Sequence, residues 1–137
     1  MKQFLTVLFF TFVASISFAN ASESVKEISV TEISVTEVQQ FTNVKSANVA
    51  ILDANNKDAR ADAGVVPGAI LLTSYNQYAL SELPADKNTT LVFYCYNSYC
   101  QASHAAAQRA ISAGYKDARV MKAGIVGWNA LNAKTKI

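Results

Sequence analysis

Leu91-Val92-Phe93-Tyr94-Cys95 is a short apolar run that ends in a cysteine, and a polar loop and an alanine-rich amphipathic segment follow at once. The run predicts a buried strand and the segment after it a helix. A thiol at that junction sits where loop and first-turn N–H groups and the helix dipole favour negative charge. Cys95 is therefore the candidate starting point for the chain's chemistry.

The same alternation extends along the chain. Val49-Ala50-Ile51-Leu52 is a second buried-strand candidate, with the polar Asp53-Ala54-Asn55-Asn56 after it. Val65-Val66-Pro67-Gly68 supplies a turn that leads into Ala69-Ile70-Leu71-Leu72, another short strand. Residues 74–80 are read as a short helix, 83–88 as a loop, Arg119-Val120-Met121 as a last strand and residues 124–131 as a last helix. Near-continuous apolar strands separated by helices imply a parallel sheet covered on both faces, hence an α/β domain.

The two ends differ from this body. Residues 1–21 carry Lys2, an apolar run from Phe4 to Val13, and smaller residues ending in Ala19-Asn20-Ala21. This is the layout of a secretory signal peptide cleaved after Ala21, and the apolar run is about half of the roughly 20 residues a spanning helix needs. Export is the expectation: periplasmic if the chain is bacterial, otherwise secreted, with no membrane association after cleavage. A remainder of roughly 115 residues builds one small domain with one core. Losing Lys2 takes the formal charge from +2 to +1, and the other charges are scattered, which argues against a nucleic-acid partner.

Residues 22–33 are read as an N-terminal linker or short strand, and the domain proper as 34–137. The unit Glu27-Ile28-Ser29-Val30-Thr31 recurs as Glu32-Ile33-Ser34-Val35-Thr36. Each copy holds a Ser-x-x-Glu capping pattern, Ser29 to Glu32 and Ser34 to Glu37, and the second leads into a first helix over about 35–42. In the helix after Cys95, Ala102, Ala105, Ala106, Ala110 and Ala113 are assigned to the buried face and His104, Gln108 and Ser112 to a solvent face. Gly114 ends that helix. Trp128 is assigned to packing the last helix on the sheet.

Taken together, several of these segments resemble the rhodanese-like domains. Asp53 after an apolar strand, the run Gly64-Val65-Val66-Pro67-Gly68-Ala69, Tyr94-Cys95 with a loop into a helix, Gly114-Tyr115-Lys116-Asp117 and Gly124-Ile125-Val126-Gly127-Trp128 come in the family's order over about residues 34–133. The resemblance implies a sheet of about five parallel strands flanked by helices on both faces. It implies sulfurtransfer too: Cys95 takes sulfane sulfur from a small donor such as thiosulfate, becomes a persulfide, and passes the sulfur to a thiol or cyanide acceptor. No metal and no cofactor is expected. Tyr96, Asn97, Ser98, Tyr99, Cys100 and Gln101 would form the loop whose backbone N–H groups hold the anionic persulfide. Asp53 is a candidate for orienting the loop, or alternatively for capping a helix that starts near Lys57.

The loop also departs from the family's commonest form. Cys100 stands five residues after Cys95, where many active members have arginine, and Gln101 fills the place where a tyrosine phosphatase would need arginine. Three readings of Cys100 stand open: a disulfide with Cys95, a thiol that resolves a persulfide or sulfenate on Cys95, or a small buried hydrophobe. Accordingly, beside sulfurtransfer stand two alternatives, a catalytically silent module that binds a partner protein and a thiol redox protein working through Cys95 and Cys100.

Overall fold

The computed structural model describes residues 30–134. The signal-peptide expectation for residues 1–21 and the first capping serine, Ser29, lie outside the described residues. Five strands form one sheet: β1 (Thr31–Ile33), β2 (Val49–Asp53), β3 (Ile70–Leu71), β4 (Thr90–Tyr94) and β5 (Ala118–Met121). Their order across the sheet is β1-β5-β4-β2-β3, and every neighbouring pair is parallel. Helices α1 (Val35–Asn43), α2 (Lys57–Ala63), α3 (Ala102–Ser112) and α4 (Gly124–Lys134) connect them. This is the α/β architecture that the residue pattern implies, with the five parallel strands that the resemblance implies.

Strand β4 is central, and its alternation decides what covers each face. Leu91, Phe93 and Cys95 join Leu52, Leu72, Tyr78 and the α3 alanines in one apolar cluster. Val92 and Tyr94 join Val38 of α1, Ile125 and Trp128 of α4, and Ile33, Ile51 and Met121 in the other. A strand buried on both faces has no use for polar residues, which is why the run reads as continuously apolar. On α3 the fully buried positions are Ser103, Ala106, Ala107 and Ala110. Small side chains at these positions let the helix lie close to the sheet, but the buried stripe is not the one assigned from the alanines alone. Ala102 and Ala105 are only half-buried, and Ser103 lies in the core.

Local signals account for several boundaries. Ser34 and Glu37 form the expected capping box: the Ser34 hydroxyl accepts from the Glu37 N–H at 3.2 Å, and the Glu37 carboxylate accepts from the Ser34 N–H at 2.8 Å. The Ser34 N–H and then the Ser34 hydroxyl, both donating to the Glu37 carboxylate, hold its pKa below its usual value. Glu32, by contrast, belongs to β1 and pairs with Lys122 at 3.0 Å, so no helix starts at the first copy of the repeat. The Val66–Ala69 turn closes with Ala69 N–H donating to the Val66 carbonyl at 3.1 Å, with proline second and Gly68 third at φ 80°.

Residues 74–80 do not form the expected helix. A turn at 75–77 and a 3-10 turn at Leu80–Glu82 occupy this stretch. The Glu82 carboxylate explains the difference, since it accepts from the Thr73 N–H, the Thr73 hydroxyl and the Ala79 N–H and so bridges the two ends of the stretch. Tyr78 is sunk in the core and donates its hydroxyl to the Ala106 carbonyl at 2.8 Å; burial, above all, pushes its pKa up to about 12. No helix among the described residues is long and apolar enough to cross a membrane.

Candidate active site

Cys95 is the first residue past β4, beside the end of β2, and the loop that follows enters α3 after only six residues. Two contacts fix the backbone there. Ile125 N–H donates to the Cys95 carbonyl at 2.9 Å and Val126 N–H to the Tyr96 carbonyl at 3.0 Å, so the start of α4 grips the start of the loop. Gly124 makes that approach possible. A Cβ at this position would meet the Tyr96 carbonyl oxygen at 2.5 Å and the Cys95 carbonyl oxygen at 2.7 Å, and its φ of +64° is one that a side chain disfavours.

The loop's turns are self-organised. Asn97 accepts from Tyr99 N–H through its side-chain oxygen at 3.1 Å and from Cys100 N–H through its carbonyl at 3.1 Å. This Asx turn brings Cys100 back over Cys95. Their Cα atoms are 6.3 Å apart, within the span a disulfide bridges, and the two sulfurs are joined as a pair. This close pair is what both the disulfide and the resolving-thiol readings of Cys100 require. Cys95 is 2% exposed beneath it, and Cys100 is partly buried.

Around the Cys95 sulfur stand two oxygens. The Cys100 carbonyl lies at 3.2 Å, placed to accept a thiol hydrogen when Cys95 is reduced. The hydroxyl of Ser103 lies at 3.3 Å and can donate to a thiolate. Ser103 is 1% exposed, and its hydroxyl contacts no other polar group among the described residues. Sequence reading missed it. The available signal was a serine in the first helical turn at spacing three, four and seven from Ala106, Ala107 and Ala110, in an otherwise alanine-lined stripe. The first-turn N–H groups of Ala102, Ser103 and His104 precede the helix's own hydrogen-bond ladder and point toward the loop end. They form the electropositive end of α3.

The remaining loop residues divide by exposure. Ser98, Tyr99 and Gln101 face solvent, Tyr99 at 89% exposure, while Tyr96 leans across to α2 and donates its hydroxyl to Asp62 at 2.7 Å. Asp62, first by that hydrogen bond and then by its charge, raises the Tyr96 pKa above its usual value.

Asp53 has a different task from either one expected of it. Its two oxygens accept from Asn55 N–H at 2.7 Å and from the Tyr94 hydroxyl at 2.8 Å, and Tyr94 in turn accepts from Val66 N–H at 3.0 Å. Arg60 approaches at 3.5 Å and also donates to the Asp53 and Leu72 carbonyls. Asp53 therefore holds the 64–68 turn against the sheet, and among the described residues none of its hydrogen bonds reaches the cysteine loop. Nor does it cap α2, because Asn56 does so, accepting from Ala59 N–H at 2.8 Å. His104 is not a free surface residue either. Its ring lies 3.5 Å from the Glu32 carboxylate of β1, half-buried, and no contact joins it to Cys95.

Among the described residues no three metal-binding side chains come together. The site contains a cysteine pair, one buried hydroxyl and a helix N-terminus, which together suit an anionic sulfur species or a thiol–disulfide exchange.

Comparison with known proteins places this geometry. No curated protein matches the sequence. Among solved structures, the fold is similar to a Bacillus halodurans protein at 17% identity, with a TM-score of 0.65 over 74% of this chain and 73% of that one. It is similar to a rhodanese-like domain from Anabaena sp, at 16% identity and a TM-score of 0.57, covering 73% of this chain and 74% of that one. A thiosulfate sulfurtransferase from Pseudomonas aeruginosa matches at 22% identity and a TM-score of 0.60, covering 75% of this chain but only 19% of that one. Likenesses at these identities speak for the fold. Family membership rests on the sequence itself: the model of the rhodanese-like domain matches residues 34–131, and the chain belongs to the rhodanese-like domain family.

Proposed function

We propose that this domain carries sulfane sulfur on Cys95, taking it from a small donor such as thiosulfate and passing it to a thiol or cyanide acceptor or to a partner protein. The observation that carries this reading is the place of the Cys95 sulfur, at the end of the central strand and the start of α3, with the Ser103 hydroxyl 3.3 Å away. A persulfide there is anionic, and a helix N-terminus with a hydroxyl donor favours that charge. Sulfur transfer divides into two half-reactions through the covalent intermediate, which gives ping-pong kinetics. The name of the Pseudomonas aeruginosa neighbour supports the same chemistry. With the leader at residues 1–21 cleaved after Ala21, the reaction takes place outside the cytoplasm, in the periplasm if the chain is bacterial and otherwise as a secreted protein.

A second reading, thiol–disulfide exchange, is favoured by the Cys95–Cys100 pairing. Mass spectrometry of the reduced mature chain carrying Cys100→Ser, in which no second thiol can displace the bound sulfur, after incubation with thiosulfate tests the first. A gain of about 32 Da, one sulfur atom, located on Cys95 and lost in Cys95→Ser, is expected. Absence of any adduct with thiosulfate and with inorganic polysulfide overturns sulfur carriage and leaves exchange, or a silent binding module, in its place.

A further inference from the structure

We infer that Cys100 discharges the Cys95 persulfide as hydrogen sulfide, making the domain a sulfane-sulfur reductase that a dithiol must reset. The inference rests on the sulfur-carrying role proposed above and gives that site its own internal acceptor. Two observations support it. Cys100 lies with its sulfur against the Cys95 sulfur, brought there by the Asn97 turn. Cys95 is sealed at 2% exposure beneath the pair, which leaves an external thiophile poorly placed to reach a sulfur bound there while Cys100 is folded over it.

The step balances without an outside oxidant. In loading, the Cys95 thiolate attacks the sulfane sulfur of thiosulfate and sulfite leaves, giving Cys95–S–S⁻. The Cys100 thiolate then attacks the inner sulfur, the Cys95 Sγ. The Cys95–Cys100 bond forms, the bond to the outer sulfur breaks, and the outer sulfur leaves with the electron pair as hydrosulfide, taking up the proton that Cys100 gave up. The sulfane sulfur is reduced by two electrons and the two thiols are oxidised to the disulfide. Attack at the inner sulfur follows from geometry, since it is this atom that the Cys100 sulfur meets. Attack rate at sulfur also depends on how readily the displaced sulfur leaves, and hydrosulfide is a better leaving group than an alkyl thiolate.

Resetting has a direction as well. Cys100 is the more exposed half of the pair, so the thiolate of an external dithiol enters at Cys100 and displaces the Cys95 thiolate toward Ser103 and the α3 N-terminus. The dithiol's second thiol then releases Cys100 and carries away the two electrons' worth of oxidation as its own disulfide.

The test loads reduced mature wild type, Cys100→Ser and Cys100→Ala with thiosulfate, and in parallel with inorganic polysulfide, removes the donor by rapid desalting, and follows sulfide and intact mass. Both variants are expected to keep the adduct of about 32 Da. Wild type is expected to release one sulfide per chain, at least about 100-fold faster than the variants because its acceptor is intramolecular, and to end about 2 Da below the reduced mass. Wild type that holds its adduct as long as the variants do overturns the inference while leaving sulfur carriage intact, as does peptide mapping that finds the sulfur on Cys100. Variants that take no adduct from either donor overturn sulfur carriage and this step with it.

Discussion

Asp53 and Cys95 stand at neighbouring strand ends and are held in opposite ways. Asp53 pairs in register with Tyr94, and Cys95 is the next residue along that strand. Asp53 is fully buried, and both its oxygens are occupied, by Asn55 N–H and the Tyr94 hydroxyl, with Arg60 beside them. Cys95 is almost as deeply buried, yet among the described residues the polar partners of its sulfur are Cys100 and the Ser103 hydroxyl. A buried polar group with every bond made is a fixed point of the fold. A buried sulfur next to unspent N–H donors and a second sulfur is a place where bonds can change. The comparison teaches that burial alone does not mark chemistry, and that uncommitted bonding capacity does.

Asp53→Ala is the largest test of that division. It strips the Tyr94 hydroxyl and Asn55 N–H of their acceptor and leaves Arg60 without its carboxylate. Arg60 keeps its carbonyl partners, so the loss falls at the lower end of the range for a broken buried pair, about 3 kcal/mol. In a domain of this size that is a fall in Tm of about 15 °C. Sulfur loading per folded molecule at 20 °C stays within about twofold of wild type. A mutant that melts normally but fails to load would place Asp53 in the chemistry and dissolve the contrast.

Gly124→Ala comes next because it acts on both sides. Its Cβ collides with the backbone of Cys95 and Tyr96 rather than with a side chain that could swing away, and the positive φ adds strain. A loss of about 2 kcal/mol in urea unfolding is expected, with loading slowed about tenfold or more as the sulfur shifts. Destabilisation without any change in loading would show that the α4 grip serves the fold alone.

These residues also show how far sequence carries. The run from Leu91 to Cys95, the Ser34–Glu37 box and the Pro67-Gly68 turn each carry a local rule, so strand β4, the start of α1 and the turn before β3 were legible. The stretch 74–80 was not. Its hydrogen bonds run to Glu82 and to Ala106, partners that helical periodicity cannot announce. The work of Asp53 was hidden for a similar reason, because its main partner, Tyr94, is 41 positions away. Cys95 could be singled out from its neighbours in the chain, but the sulfur's contact with Ser103 needed the helix to be rotated correctly, and the alanines alone set the stripe one position off.

Ser103→Ala reverses the Asp53 pattern. The side chain is small and the stripe already holds alanines, so stability changes little, whereas the thiolate loses its one hydroxyl donor. Hydrogen bonds to charged groups contribute about 1.5 kcal/mol at the weaker end, so alkylation of reduced Cys95 by iodoacetamide at pH 7 should slow by up to about tenfold. The pH midpoint of alkylation should move upward, a readout that a packing role would leave in place. Threonine at 103 keeps the hydroxyl and should recover most of the rate. Equal alkylation profiles for serine and alanine would remove Ser103 from the site.

The smallest effect belongs to Tyr96→Phe, which cuts the side-chain tether between the cysteine loop and α2 without touching either Asp53 or Cys95. The tether is a hydrogen bond from the Tyr96 hydroxyl to Asp62 on an exposed surface, so sulfur loading should be unchanged and Tm only slightly lower. Its pH dependence is the sharper readout. Asp62 raises the Tyr96 pKa in the folded chain, by the hydrogen bond first and by its charge second. The tether's contribution is therefore fully present below the unfolded tyrosine value of about 10 and is lost as pH rises through the folded value. Melts of wild type and Tyr96→Phe should keep a constant gap near neutrality and converge in strong alkali. A gap that instead widened with pH would mean that the ionised Tyr96 is the form the fold prefers, and the loop would then be bound to α2 by something other than this hydrogen bond.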